Sequence, residues 1–377
     1  MIDLKDLSIQ VGPVDIAPMV LGLTTLESIK GGVKGSITIQ DNINFYDTFI
    51  GALQHIIKID FEYAGSFCKN EFISDGITNI VITKKGKKYD INFISIQSMD
   101  FKTSLINQVY SETSHRIIEK IFTEACNKKS ILLIDTPTIT KGRYIVPNIV
   151  AGAAIKRLLD TAFDVNASQL CLYQRMWDRG RTRLTSYHDM NKTIFKNADG
   201  EIFTISNSSV SSAEKTVLAT IGTSTQFTVE EANKDGSGKI AAGYYGQIVS
   251  HVQLDETKET SYKPAEITNN EVTKFVLSKD LYDDGVVSIF KTAADPVARA
   301  AINQRKRLYN TFMNVSNIVA IPNIGCGMSI NVDPGENNVS ASRERNKKYI
   351  IQNIQHTMTL NDGAWAYSQN MGLIREW

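Results

Sequence analysis

The side chains able to do chemistry in this chain are few and far apart. Five histidines, His55, His115, His188, His251 and His356, are scattered along 377 residues. His188 precedes Asp189, which could imitate half of a hydrolase triad, but no GxSxG elbow or activated cysteine accompanies it. Asp160 and Asp164 lie near Glu201 only in chain order, whereas a glycosidase needs two carboxyl groups facing one bond. Gly236-Ser237-Gly238-Lys239 has the look of a phosphate loop. Yet Asn233 stands where that loop's first glycine belongs, and Ile240 replaces the hydroxyl residue after the lysine. The cysteines, Cys68, Cys126, Cys171 and Cys326, form no CxxC pair, so neither a zinc site nor a redox motif is indicated. They read as small buried apolar residues in a reducing compartment. The expectation is a protein that is not an enzyme, with no cofactor and no metal.

Two stretches have the composition of a contact surface instead. Lys84-Lys85-Gly86-Lys87-Lys88 is a basic hairpin tip, able to touch an acidic partner or simply to protect a strand edge. Arg175, Arg179, Arg181 and Arg183 form a second basic hairpin, interleaved with Tyr173 and Trp177. Arginine with aromatic residues is the composition of protein interfaces, so this hairpin is expected to contact another chain.

The elements that must position these residues are mostly strands. Ile57, Ile59, Phe61 and Tyr63 alternate with Lys58, Asp60 and Glu62, giving one buried and one wet face. Gly35 to Gln40 also alternates, and Asn79–Thr83 and Tyr89–Ser95 flank the basic tip. Residues 45–53 read as a short helix or a bend. From residue 111 the period changes. Ile117, Ile118, Ile121, Phe122 and Ala125 have helical spacing after the polar Ser111-Glu112-Thr113. Pro147 is expected to open a second helix with Ala151, Ile155, Leu158, Leu159 and Ala162 as its apolar stripe. A hairpin over 170–187 follows, turning at Asp178-Arg179-Gly180. Beyond residue 201 strands return, at 201–206, 216–221, 243–254, 313–321 and 328–332. Residues 230–239 read as a polar loop, and Asp295-Pro296 as the start of a helix to about residue 310. A polar loop over 333–347 precedes the last hairpin. There Ile350, Ile354, Met358 and Leu360 share a face that Gln352 and His356 interrupt, and Asp362-Gly363 makes the turn.

An internal echo runs through these strands. Residues 53–60 are followed, after a gap, by Lys87-Lys88-Tyr89; residues 326–333 are followed by Lys347-Lys348-Tyr349. This fits duplication of one small barrel, although any two β meanders could share so few identities. The 41 basic and 40 acidic residues leave a net charge of +1, which gives no general drive toward nucleic acid or anionic membrane. The length leaves room for two or three domains. The start, Met1 to Asp6, does not read as a signal peptide, and no apolar run approaches a membrane span, so a soluble protein made in a cytoplasm is expected.

Taken in order, the strand from Met313, the Ile324-Gly325 turn, the strand at Met328, the polar loop and the hairpin from Tyr349 to Arg375 resemble the C-terminal part of the baseplate hub family of T-even-type contractile phage tails. The stretch Gly31 to Asp41 with the strand 55–63 is similar to that family's first barrel, and Pro147-Asn148 with its helix and hairpin to its second domain. The resemblance implies an α+β, mainly β fold with two similar small antiparallel β-barrels around an α+β middle domain. On that basis residues 1–104 form the first barrel and 105–200 the middle domain. Residues 201–254 with 298–377 form the second barrel, and 255–297 a connecting segment. It implies a ring-shaped homotrimer in the virion tail baseplate, assembled in the host cytoplasm. Such a ring adapts a three-fold central spike protein to a six-fold tail tube or tube initiator, with baseplate wedge proteins as further neighbours. DNA is then a partner only in transit, through a lumen expected to be neutral or acidic. Two other readings stand beside it. A small-barrel oligonucleotide-binding protein would need exposed aromatics on a basic strand face, and Tyr63 alternates with acidic residues instead. A tail-associated peptidoglycan hydrolase would need a paired acid and base in a cleft.

Overall fold

In the computed structural model the residues described are 4–47, 55–84, 86–126, 130–139, 142–166, 168–196, 200, 202–206, 311–333, 347–361 and 363–375. Between 206 and 311 only short strands are described, by their backbone. The helix expected from Asp295-Pro296, the glycine-rich stretch 236–239, most of the loop 333–347 and Lys85 lie outside these residues.

The fold is α+β and mainly β. One 14-stranded sheet takes strands from both ends of the chain. Its first half is ordered Val20–Ser28, Lys34–Asp41, Gly86–Ser95, Ser66–Thr83, Ile56–Tyr63, Leu4–Val11, with every neighbouring pair antiparallel. The alternation seen in the sequence sets the faces: Ile57, Ile59, Phe61 and Tyr63 are buried while Lys58 is exposed. Ala64 and Gly65, both at positive φ, close a two-residue turn into Ser66–Thr83. The second half is ordered Gln226–Glu231, Thr311–Val319, Ala364–Arg375, Lys347–Asn361, Ser329–Asp333, Phe203–Ser206. All of those pairs are antiparallel except the last.

These two orders are the same. Number five strands of each half as they occur in the chain, starting at Val20–Ser28 and at Gln226–Glu231. The sheet order is then first, second, fifth, fourth, third in both halves. The sequence echo is half right in consequence. Ile56–Tyr63 and Ser329–Asp333 do hold equivalent third places. The Lys-Lys-Tyr match does not: Tyr89 lies on a fifth strand and Tyr349 on a fourth. Three shared residues carry little information, whereas sheet position is fixed by many backbone hydrogen bonds.

The resemblance implied two separate barrels; among the described residues no closed barrel is found, and the two halves share one sheet. The long strand Lys347–Asn361 gives one edge to Ala364–Arg375. On its other edge residues 347–350 pair with Ser329–Asp333, and residues 353–359 pair with Val20–Ser28. A bulge at residues 351–353 separates the two partners. The halves are therefore welded edge to edge, and among the described residues they form one continuous sheet that branches at Lys347–Asn361.

The middle segment packs helix Ser114–Ala125 against helix Ala151–Thr161, burying Ile117, Ile118, Ile121, Ala154, Ile155 and Leu158 in one cluster. Pro147 does not begin the second helix. It lies within strand Gly142–Val150, where the register against Leu105–Tyr110 shifts between Val146 and Ile149 and Asn148 takes a φ of +51°. A bulge leaves an unpaired position in which the missing N–H of proline costs nothing. That strand also pairs with Val287–Phe290, so the end of the connecting segment joins the middle sheet. The 170–187 hairpin forms as expected from Leu170–Gln174 and Thr182–Ser186, with Arg179 and Gly180 at positive φ. A short helix, Tyr187–Lys192, follows with Ser186 accepting from the Asp189 N–H as its cap.

Candidate functional site

His188 and Asp189, weighed in the sequence as half of a triad, are held in structural contacts. Asp189 Oδ2 accepts from Thr136 Oγ1 at 2.6 Å, and Ser168 Oγ accepts from the His188 backbone N–H at 3.0 Å. None of the four cysteines forms a disulfide, and all four are buried. Burial pushes the Cys68 and Cys326 thiols above their usual range and lifts Cys126 to about 12, the reverse of an activated nucleophile. Among the described residues no three His, Cys, Asp or Glu side chains could hold a metal.

The best-built polar site lies where the two halves and the middle segment meet. Glu27, on Val20–Ser28, is fully buried. Its Oε1 accepts from the Met176 N–H at 2.6 Å and lies 3.0 Å from His356 Nε2, and its Oε2 accepts from the Cys326 N–H at 3.0 Å. His356 Nδ1 lies 2.8 Å from the Tyr367 hydroxyl. Gln369 Nε2 lies 3.3 Å from the same nitrogen and also donates to the Ile321 carbonyl at 3.1 Å. Arg175, also buried, donates from Nε to the Cys326 carbonyl at 2.7 Å and from Nη2 to the Tyr173 hydroxyl at 3.2 Å. One carboxylate thus ties together Val20–Ser28, the C-terminal hairpin, the 320s turn and the 170–187 hairpin. A buried acceptor with three donors is stable only if all are present.

Sequence reasoning missed this site. His356 was expected to interrupt an apolar face; instead it is 1% exposed on that face, while Leu360, expected inside, is 37% exposed. The signal was available at Glu27, since in Val20–Ser28 the inward positions Leu23 and Thr25 continue at period two to Glu27.

The arginine–aromatic hairpin is an interface, but mainly within the chain. Tyr173, Arg175 and Trp177 are all at most 9% exposed. Trp177 stacks edge-on against Phe61 with ring centroids 5.5 Å apart, and the Met176 carbonyl accepts from Asn70 Nδ2 at 2.7 Å. These three side chains are therefore withdrawn from contact with another molecule, because the hairpin clips the middle segment onto both sheet halves. Arg183 is held by Asp178, at 2.5 Å from Nε, and by Asp135, at 3.0 Å from Nη1. Burial works against its charge, and those two carboxylates overcome it and hold its pKa above the ordinary arginine value. Arg179 and Arg181 alone stand exposed.

At the basic tip the tight turn is narrower than expected, since Lys87 and Lys88 already belong to strand Gly86–Ser95. Lys87 Nζ bonds Asp47 Oδ1 at 2.7 Å and lies 4.6 Å from the Tyr46 ring centroid. Lys84 and Lys88 are exposed. The same hairpin carries an apolar run on its outer strand: Ile80, Val81 and Ile82 are 49%, 54% and 81% exposed.

No family model matches the sequence, and no curated protein matches it either. Solved structures do resemble it. A tail protein from Neisseria meningitidis has a TM-score of 0.61 at 9% identity, with 99% of this chain and 96% of that chain covered. The 43 kDa tail protein of prophage MuSo2 from Shewanella oneidensis has a TM-score of 0.59 at 10% identity, covering 100% of this chain and 98% of that one. A component of the Escherichia coli type VI secretion system, described as similar in structure to bacteriophage T4 tail proteins, has a TM-score of 0.50 at 10% identity, covering 100% and 77%. At such identities the likeness speaks for the fold: this chain has the architecture of phage tail proteins and of a tail-like part of a secretion machine.

Proposed function

We propose that the chain is a structural component of a contractile tail, the baseplate hub that seats a tail tube on one side and a central spike on the other. The observation that carries this reading is the five-strand unit present twice in one chain, in the same sheet order and joined edge to edge. A subunit with two equivalent units presents a quasi-six-fold face when three copies assemble, and a three-fold face wherever the units differ. A homotrimer of that kind joins a six-fold partner to a three-fold one. The whole-chain likeness to tail proteins supports the same reading.

A nucleic-acid reader gains nothing from the geometry, since Phe61 and Tyr63, on the strand that would form its platform, are 2% exposed and packed in the core. The reading makes the protein a non-enzymatic virion part whose contact with DNA is passage. Native mass measurement of the purified chain, alone and mixed with a candidate spike protein, tests it. A trimer that captures the spike is expected; a chain that never reaches a three-fold assembly with any tail partner overturns it.

A further inference from the structure

Gln174 closes strand Leu170–Gln174 and is 3% exposed. Its Nε2 donates to Gln97 Oε1 at 2.8 Å, to Thr182 Oγ1 at 3.1 Å and to the Gly180 carbonyl at 3.4 Å. The Gly180 carbonyl can only accept, and it also takes Gln97 Nε2 at 3.1 Å, so both amides have one orientation. That leaves Gln174 Oε1 buried without a donor. Unmatched acceptors are rare in folded proteins, and this one belongs to a side chain in the wall of a cavity. The cavity, of about 270 Å³, lies between helix Ile96–Thr103, helix Ala151–Thr161 and strand Leu170–Gln174. Phe101, Ile155, Leu159 and Leu172 form its apolar walls. At its polar end Ser98 Oγ and Gln174 Oε1 converge beside Gly32, where even a Cβ would collide with both. Among the described residues its only charged lining comes from Lys30 and Lys156, which are exposed and form no ion pair. A larger cavity of about 630 Å³ shares both lysines with it and runs on to Phe312 and Ile374. Asp160 lines that larger cavity and not the smaller one.

We propose that the smaller cavity takes a tyrosine side chain from an acidic segment of a partner protein. Small-molecule pockets run to about 300–1,000 Å³, so this one is sized for a single large side chain. Its order of surfaces is that of tyrosine: an apolar body between Phe101 and Leu159, then a polar tip at the end where Ser98 and Gln174 meet. The hydroxyl is the donor that Gln174 Oε1 lacks. Carboxylates beside the tyrosine complement Lys30 and Lys156, two cations that nothing else among the described residues neutralises. The larger cavity continues past the lysines and gives the flanking chain a path, which a free amino acid would not need. The inference stands apart from the hub reading, since it requires a partner protein but no three-fold one.

Fluorescence anisotropy with the full-length chain and a labelled peptide, Asp-Glu-Tyr-Glu-Asp with both ends blocked, tests the site. Saturable binding is expected, and the same peptide with Phe for Tyr is expected to bind about tenfold or more weakly, because the buried acceptor then stays unpaired. Those two peptides leave the protein's folding untouched. A Lys30→Ala/Lys156→Ala variant is expected to keep the wild-type melting temperature and to weaken binding about tenfold. A Lys84→Ala/Lys88→Ala variant, which removes two exposed lysines elsewhere, is expected to bind as the wild type does. Equal affinity for the Tyr and Phe peptides overturns the role of Gln174. An equal loss in both lysine variants means diffuse charge attraction and overturns the site. N-acetyltyrosinamide binding as tightly as the peptide overturns the acidic segment as occupant. No saturable binding up to about 1 mM peptide overturns the inference as a whole.

Discussion

At the scale of single residues the structure is held by a few polar side chains doing several jobs at once. Replacing Glu27 by alanine strands the Met176 and Cys326 N–H groups and the His356 imidazole in a dry site. Orphaned buried partners cost about 1–3 kcal/mol each, so Glu27→Ala is expected to lower stability by about 3 kcal/mol or more in urea unfolding. A change within about 0.5 kcal/mol would contradict the tight coupling described. Trp177→Ala removes a buried ring from the hairpin clip and is expected to cost about 3–5 kcal/mol in the same measurement. Its effect on assembly should then follow from lost folding, not from a lost contact. Asp41 adds a pH dependence. Burial alone would raise its pKa, but the N–H groups of Tyr46, Phe45 and Ile43 and the Tyr89 hydroxyl donate to it and hold it below the ordinary 3.8. A depressed folded pKa means that the stabilisation is complete above 3.8 and fades as the pH falls through the lower folded value. Asp41→Asn should therefore flatten the acid limb of a stability–pH profile and leave its slope above pH ~5 unchanged.

At the scale of elements, close approaches decide where the strands can sit. Gly327 has a φ of +74°, and a Cβ there would lie 2.4 Å from the Tyr173 hydroxyl. Gly327→Ala is expected to cost about 2 kcal/mol or more, combining the left-handed backbone with a clash against a side chain that cannot swing away. Melting of the variant at or above the wild-type temperature would contradict the tight seating of the 170–187 hairpin on the 320s turn. Much of this level was legible in the sequence. The helices at 114–125 and 151–161, the 170–187 hairpin and the C-terminal hairpin were all expected from period and turn residues, and all form. Pro147 was misread, because proline at a helix start and proline at a strand bulge leave the same local trace.

For the whole molecule, two five-strand units joined edge to edge are what the hub reading rests on. A net charge of +1 gives the proposed ring no general hold on phosphate. The assembled chain is expected to retain no duplex DNA in a mobility shift at near-physiological salt, and tight, steeply salt-dependent retention would contradict passage through a neutral or acidic lumen.

The sequence by itself determined the class of fold and the alternation that buries Ile57, Ile59, Phe61 and Tyr63. These are local properties, set by periods of two and of 3.6 residues and by turn chemistry. Tertiary structure alone decided the rest. Glu27 and His356 are 329 positions apart in the chain, and only the joint between Val20–Ser28 and residues 353–359 brings them to 3.0 Å. The same joint runs the strands of both halves into one continuous sheet, and burial makes Tyr173, Arg175 and Trp177 of the arginine–aromatic hairpin part of an inner clip. Edge-to-edge pairing between distant strands leaves almost no trace in the composition of either strand, because its hydrogen bonds come from the backbone, which every sequence shares.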